Sequence, residues 1–212
     1  MQMATYIDLS HPITDSMPYY PGDVPVSLKQ VASFQEEGHN NFLLSTGMHS
    51  STHIDGPMHL TSNLTRIADL PIEQFAGKGF LVNVVGQKII DLPESAFEKL
   101  LPDSVVLFYT GFDLYFSQKA YYLSYPELSE ATAQILVKKQ VKIVGMDSPS
   151  PDYAPFKTHD ILLNNNILII ENLTNLSSLL RCHDFEILAF PLKIMADSSP
   201  VRVVARISDK GC

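Results

Sequence analysis

This sequence of 212 residues has few basic side chains and no long apolar run. It holds 15 Lys and Arg against 23 Asp and Glu, which gives a net charge of −8. Nucleic acids and anionic membrane surfaces attract clustered positive charge, so we expect neither as a partner. No window approaches the ~20 apolar residues of a membrane-spanning helix. Residues 1–10 lack the basic and apolar regions of a signal peptide.

Cysteine is almost absent, and tryptophan is missing altogether. Cys182 and Cys212 are too few for a disulfide framework, so we predict passive thiols in a reduced, cytoplasmic protein. Repeats, low-complexity tracts and Gly/Ser linkers are also lacking. Because 45% of the residues are hydrophobic, we expect residues 1–212 to form one domain with a substantial core.

Short β-branched runs predict eight strands, several of them apolar on consecutive positions and therefore buried on both faces. The predicted strands are 5–9, 42–46, 80–85, 105–109, 141–146, 167–170, 187–190 and 201–207.

Two helices are predicted, at residues 93–101 and 124–140. For the second, Ser124 and Glu127 have the spacing of a capping box. This helix lies between two predicted strands and would complete a βαβ unit, which favours an α/β fold with strand-rich flanks. Residues 147–152 follow the second of those strands, at the end where α/β folds place ligand contacts.

Residues 49–59 hold three histidines and an aspartate at odd-numbered positions. In an extended chain His49, His53, Asp55 and His59 would share one face. A helix would turn Asp55 about 200° away from His53. A lone histidine is more often a hydrogen-bonded structural residue, but imidazole and carboxylate groups in register favour a catalytic metal site with a position open for water.

Two residues far along the chain are candidates for completing this site. His159 stands before a short apolar stretch, and Glu171 ends a strand predicted to be buried. A buried acid costs several kcal/mol unless it is paired or bound to a metal. From spacing alone, Glu171 turning into solvent is an equally good interpretation.

The ordered motifs of nearly the whole chain resemble the cyclase-like metal-dependent hydrolase family, which includes kynurenine formamidase and isatin hydrolase. The signature His-x-Gly-Thr-His-x-Asp-x-Pro-x-His is matched by His49, Thr52, His53, Asp55, Pro57 and His59. The supporting matches are residues 8–12, 21–23, 110–111, 145–150, 159, 169–173, 191–192 and 199–202.

The resemblance implies a swivelling β/β/α-type single domain with a mixed sheet, assembled as a homodimer or a larger homo-oligomer. It implies one or two Zn²⁺ ions per subunit, with Mn²⁺ as the alternative. The residues it implies are His49, His53 and Asp55 for one ion, Asp55, His159 and Glu171 for a second, and His59 as the acid/base.

The implied reaction is hydrolysis of an aryl formamide such as N-formylkynurenine. Metal coordination lowers the pKa of water from about 15.7 towards ~7, and His59 would carry the proton to the leaving nitrogen. The alternatives are a cyclic-amide hydrolase of the isatin type and a non-catalytic metal-binding protein.

Two positions depart from the family pattern. Ser51 stands where glycine is usual, so the turn there must accept a Cβ. Tyr20 stands where related formamidases carry a pocket tryptophan, and we predict that it contacts the substrate, with a partner for its hydroxyl.

Overall fold

The computed structural model describes residues 4–208 and 211–212, and in these residues most strands join one mixed sheet. The predicted α/β class is confirmed. In chain order the strands are β1 Thr5–Asp8, β2 Ser27–Ala32, β3 Asn41–Ser45, β4 His53–Asp55, β5 Ala76–Asn83, β6 Ile89–Ile90, β7 Val105–Tyr109, β8 Glu127–Leu128, β9 Ile143–Met146, β10 Leu168–Glu171, β11 Phe185–Leu188, β12 Ser198–Pro200 and β13 Val204–Ile207.

The main sheet has nine strands in the order β1-β13-β11-β5-β7-β9-β10-β4-β12. β5, β7, β9 and β10 run parallel to one another, and the remaining pairs are antiparallel. All eight predicted strands are present; the bounds of β7 match the prediction and those of the other seven are shifted. The short strands β4, within the segment considered as extended, and β12, which was not predicted, continue the sheet beyond β10.

The parallel strands are apolar because core packs on both of their faces. In β7, Val105 and Leu107 belong to one hydrophobic cluster, whereas Val106 and Phe108 belong to the cluster on the opposite face. Gly145 of β9 is required by this packing, since a Cβ there would lie 2.7 Å from the Leu107 side chain.

The helices differ from the two that were predicted: both predicted segments are shorter in the structure, and two α-helices lie outside them. The α-helices are α1 Phe34–Glu37, α2 Glu130–Lys138 and α3 Lys157–Asn164. The predicted helix 93–101 is only a 3₁₀ turn, Glu94–Phe97. The other 3₁₀ segments are Ile67–Asp69, Ile72–Phe75, Phe112–Tyr115, Lys119–Tyr122 and Leu176–Leu179.

The predicted helix 124–140 begins later than its sequence pattern indicated. Ser129, not Ser124, caps α2, because its hydroxyl accepts the Thr132 N–H at 3.1 Å. Glu127 lies in β8 instead of a first helical turn. The capping-box interpretation was wrong because the local Ser/Glu spacing competes with strand pairing between β6 and β8.

The hairpin β2–β3 lies apart from the main sheet and pairs only within itself in the described chain. Every residue of β3 is exposed. Phe42 and Leu43 of β3 are 57% and 60% exposed, and Phe34 of α1 at the hairpin tip is 64% exposed.

The two cysteines are joined in a disulfide between Cys182 and Cys212. The prediction of passive thiols was therefore wrong, because the fold brings together residues 30 positions apart.

None of the helices in the described ranges is both long and apolar enough to cross a bilayer.

Candidate metal centre

The histidine-rich segment is not one continuous strand. Only residues 53–55 are extended, as β4, whereas His49 and His59 lie in turns on either side of it. The prediction that an extended chain aligns all four side chains was wrong in its geometry. The four residues nevertheless converge, because the two turns fold His49 and His59 back over β4.

Strand register places Glu171 opposite His53. β10 and β4 are antiparallel, with Glu171 paired to His53 and Ile169 to Asp55. Opposed residues in an antiparallel pair present their side chains on the same face. The His53 Nε2 atom consequently lies 3.3 Å from Glu171 Oε2, and both side chains are buried. The interpretation of Glu171 as a solvent-facing strand end was wrong.

His159 reaches the same carboxylate from a helix. It lies in the first turn of α3 and is buried, with Nε2 3.3 Å from Glu171 Oε1. Its other nitrogen, Nδ1, lies 2.5 Å from Asp152 Oδ1. Asp152 also accepts the Thr158 backbone N–H, so it fixes both the ring of His159 and the start of α3. Our reasoning from sequence missed this role, although it placed ligand contacts within residues 147–152.

A second residue missed by sequence reasoning is Asp197, just before β12. Its Oδ2 atom lies 2.9 Å from His49 Nε2 and 3.1 Å from His59 Nδ1. The Ser198 hydroxyl also lies 2.9 Å from His49 Nε2. The available signal was its place two residues before the family match at 199–202.

The backbone of Asp197 is held against β4 at a glycine. The Gly56 N–H donates to the Asp197 carbonyl at 2.9 Å. A Cβ at position 56 would lie 2.9 Å from the same carbonyl oxygen, which is closer than carbon and oxygen approach without displacement. Gly56 therefore permits the close approach that brings Asp197 to the two histidines.

Ser51 shows how the turn accepts a side chain in the usual glycine slot. Its φ is 59°, in the left-handed region, and its hydroxyl donates to the His11 carbonyl at 3.1 Å. The Ser51 carbonyl lies 2.9 Å from His53 Nδ1. Since a carbonyl only accepts, Nδ1 carries the proton and Nε2 of His53 keeps its lone pair.

The atoms at the centre of the cluster lack hydrogen-bond partners. His53 Nε2 and both carboxylate oxygens of Asp55 are buried without a hydrogen bond. His49 Nδ1 lies 2.9 Å from Asp55 Oδ1, but without the direction that a hydrogen bond requires. Native proteins rarely leave such atoms unsatisfied. Lone pairs aimed at a common point are what a divalent cation satisfies, and nitrogen with carboxylate oxygen suits Zn²⁺ or Mn²⁺.

Three overlapping groups of donor atoms could hold such cations. Ligand atoms lie within 4.8 Å of one another in each group. The groups are His49, His53 and Asp55; Asp55, His59 and His159; and His49, His59 and Asp197. The structure thus brings together His49, His53, Asp55, His159 and Glu171, as the sequence led us to expect. Their binding of a metal stays a prediction.

The carboxylates make this cluster strongly attractive to positive charge. Burial lowers the pKa of His49, but attraction by Asp55 and contact with Asp197 outweigh burial and raise this pKa to about 11. For His159, contacts with Asp152 and Glu171 likewise outweigh burial and raise the pKa to about 10. In the absence of metal, protons take the place of the cation, so metal binding is expected to release them.

A cavity of about 180 Å³ opens beside the cluster. Tyr20 lies on its wall, and the Tyr20 hydroxyl is 3.4 Å from that of Tyr125, which supplies the predicted partner. Substrate contact by Tyr20 stays a prediction. No Lys or Arg is among the cavity-lining residues in the described ranges. The lining residues are Tyr20, Asp23, His49, His53, His59, Leu60, Tyr122, Pro149, Ser150, Phe156, His159, Glu171 and Asn172.

Comparison with known proteins supports the resemblance found in the motifs. A kynurenine formamidase of Bacillus anthracis is 29% identical over 211 residues, covering 97% of this chain and 99% of the relative. Isatin hydrolase A from Ralstonia solanacearum superposes with a TM-score of 0.86 at 20% identity, covering 96% of this chain and 92% of the other.

A third protein, described as a potential metal-dependent hydrolase with cyclase activity, superposes with a TM-score of 0.80 at 22% identity. The superposition covers 97% of this chain and 98% of the other. These structural likenesses concern the fold. The model of the Cyclase family matches residues 7–153, which is more than half of the sequence. The chain therefore belongs to the Cyclase family.

Proposed function

We propose that this chain is a metal-dependent amidohydrolase that cleaves the C–N bond of an aryl formamide such as N-formylkynurenine. The observation that carries the proposal is the group His49, His53 and Asp55, in which His53 Nε2 and both Asp55 carboxylate oxygens are buried without a hydrogen-bond partner. A kynurenine formamidase aligned over nearly the full length supports the substrate class.

The charge of the cluster supports two ions rather than one. Asp55, Asp152, Glu171 and Asp197 contribute four negative charges around neutral imidazoles, and two divalent cations would neutralise them. We propose that His49, His53 and Asp55 hold the first ion, and that Asp55, His159 and Glu171 hold the second. Zn²⁺ is the proposed metal, with Mn²⁺ as the alternative.

A divalent cation bound here supplies a Lewis acid and a water of lowered pKa. The chain's own contribution is to position the amide and to move a proton. His59 lines the cavity and is partly exposed, so its ring is accessible to a substrate. We assign His59 the task of taking a proton and returning it to the leaving nitrogen. Tyr20 is placed to contact an aromatic ring of the substrate.

One observation favours a second substrate class. The described lining of the cavity contains no Lys or Arg, so nothing there pairs with the carboxylate of an amino-acid substrate. A neutral cyclic amide of the isatin type needs no such partner, and a structural neighbour is an isatin hydrolase.

A non-catalytic metal-binding protein is less favoured, because a structural zinc site is normally closed by four protein ligands.

The test combines metal removal with a substrate panel. Protein stripped with a chelator and reloaded with Zn²⁺ or Mn²⁺ is assayed on N-formylkynurenine, formanilide and isatin, while circular dichroism monitors folding. We expect activity to vanish on stripping and to return on loading. Unchanged activity after complete stripping would refute metal dependence. Stoichiometric metal without turnover of any panel member would favour the binding protein.

We also propose that a second copy of this chain covers the hairpin β2–β3, giving a homodimer. An isolated two-stranded hairpin is marginally stable, and Phe34, Phe42 and Leu43 expose large apolar side chains. Analytical ultracentrifugation of Phe42→Glu should show monomers. Leu114→Glu, at a residue 77% exposed in a separate 3₁₀ segment, should stay dimeric. A monomeric unsubstituted protein would refute the proposal.

The cytoplasmic location stays a prediction. The disulfide between Cys182 and Cys212 removes the assumption of unpaired cysteines that supported it.

A further inference from the structure

Asp197 is the one carboxylate in the described part of the centre that contacts both His49 and His59 at hydrogen-bond distance. It stands outside the ligand set predicted from the sequence. Its Oδ2 atom accepts from both rings, which lie 4.0 Å apart between centroids. The side chain is 32% exposed, so it sits at the solvent side of the cluster rather than in its buried centre.

A carboxylate accepts hydrogen bonds and does not donate them, so each neutral ring must present an N–H to it. His49 then carries its proton on Nε2, and its Nδ1, 2.9 Å from Asp55 Oδ1, keeps the lone pair that a shared cation would accept. His59 carries its proton on Nδ1, and its Nε2 is left with the lone pair. One oxygen atom thereby selects the tautomer of both histidines.

Backbone contacts of Asp197 and its neighbour hold the Asp197 carboxylate in place to select these tautomers. The carbonyl of Asp197 accepts the Gly56 N–H, and the next residue, Ser198, pairs with Asp55 across β12 and β4. The backbone of Asp197 is therefore anchored beside β4, the strand that carries the proposed ligands His53 and Asp55. Such carboxylate–histidine contacts orient metal ligands and raise their basicity.

We propose that Asp197 is a positioning residue that couples the metal ligand His49 to the proton carrier His59. The inference rests on the proposed function for the role of His59, but its structural part does not depend on the substrate. Asp197 holds His49 Nδ1 towards the cation and leaves His59 Nε2 free to accept a proton. It acts through the two rings and contacts no reacting atom.

The test compares Asp197→Asn and Asp197→Ala with a matched control, Asp184→Asn. Asp184 is an exposed aspartate that, like Asp197, lies directly before a strand, here β11, and its carboxylate is 3.5 Å from the Lys78 ammonium. Zinc affinity is measured by competition with a chromophoric chelator. We expect a loss of about 10-fold for Asn, which keeps an uncharged acceptor, and about 100-fold for Ala, in the range found for such contacts. The control should retain its affinity.

A second measurement reads the tautomers directly. Long-range ¹H–¹⁵N NMR of zinc-loaded protein should show His59 protonated on Nδ1, with the signal assigned by its loss in His59→Asn. In Asp197→Ala this preference should disappear. If the zinc-loaded protein instead shows Nδ1 of His59 without a proton, Asp197 and His59 are direct metal ligands and the proposal is overturned.

Kinetics separate this inference from the proposed function. With an active substrate, Asp197→Ala should lower kcat with little change in KM, and adding it to His59→Ala should lower kcat little further, since residues that act as a unit are not additive. Full additivity would overturn the coupling. If no substrate is turned over but zinc affinity and the tautomer still change, the positioning role stands and the proposed function fails.

Discussion

The two halves of the candidate centre differ in how the chain carries them. His53, Asp55 and Glu171 project from adjacent antiparallel strands and have side chains at most 9% exposed. His49, His59 and Asp197 lie in turns or just before a strand, with side chains 23–32% exposed. We call these the strand-borne half and the turn-borne half. The buried half suits ion binding, whereas the accessible half, which also supplies the proposed ligand His49, suits contact with substrate and exchange of protons.

The largest expected effect lies in the strand-borne half. Asp55→Asn removes the carboxylate shared by both proposed ions, so we expect loss of bound zinc and of all zinc-dependent activity. Zinc should raise the melting temperature of the unsubstituted protein, since a ligand that binds only the native state stabilises it. Zinc should leave the melting temperature of Asp55→Asn unchanged. Metal analysis after gel filtration measures the loss, and stoichiometric zinc in the variant would contradict the shared-ligand role.

The second effect lies in the turn-borne half. His59→Ala should keep its zinc, yet its turnover should fall by about 10²–10⁴-fold, the range typical of a general acid/base. Rate and metal content are measured on the same sample. Release of the metal with an unchanged rate per bound ion would make His59 a metal ligand and would remove its role as proton carrier.

A third, smaller effect concerns the support of the strand-borne half. Asp147, directly after β9, accepts hydrogen bonds from the backbone N–H groups of Thr110 and Gly111 and from the Thr110 hydroxyl. Burial nevertheless raises the pKa of Asp147 to about 6. A raised carboxyl pKa contributes stability that is complete below the unfolded value and is lost as pH rises through the folded one.

Relative to Asp147→Asn, the unsubstituted protein should therefore lose about 1 kcal/mol of unfolding free energy between about pH 5 and pH 7. Urea unfolding of both proteins at a series of pH values measures the difference. Parallel curves would show that the three hydrogen bonds cancel the effect of burial.

The smallest effect is expected at Ser51, which joins the two halves. Ser51→Gly relieves a left-handed conformation that costs roughly 1–2 kcal/mol in other residues, but it removes a hydrogen bond to His11 worth about 1 kcal/mol. We expect the free energy of unfolding to change by less than about 1 kcal/mol. Zinc affinity should be unchanged, because the Ser51 carbonyl that orients His53 remains. A large affinity loss would show that the serine side chain shapes the site.

Most of the sheet could be predicted from the sequence because its strands are apolar on consecutive positions. Val105 to Tyr109 is such a run, and burial on both faces leaves few other ways to place it. The helices were harder to predict, since local capping signals compete with tertiary contacts. Ser124 and Ser129 both have the chemistry of a cap, and only the pairing of β6 with β8 selects the second.

The proposed metal ligands could be predicted from the sequence, but the geometry of the site and the roles of Asp152 and Asp197 could not. The signature residues and the family resemblance identified His49, His53, Asp55, His159 and Glu171. The assumption of an extended segment was wrong, because the turns at residues 48–52 and 57–60 are stabilised by contacts with distant residues. The Thr52 hydroxyl, for example, donates to the Asn172 carbonyl, 120 positions away.

By itself, the sequence determined the donor chemistry, the acidic character and the apolar strands, because these follow from residue types and their local order. Only the tertiary structure decided which carboxylates face which histidines. Glu171 opposes His53 through strand register, Asp152 orients His159 from a loop, and Asp197 approaches His49 where Gly56 allows contact between backbones. Such pairings depend on register and close approach between segments far apart in the chain, which no local pattern encodes.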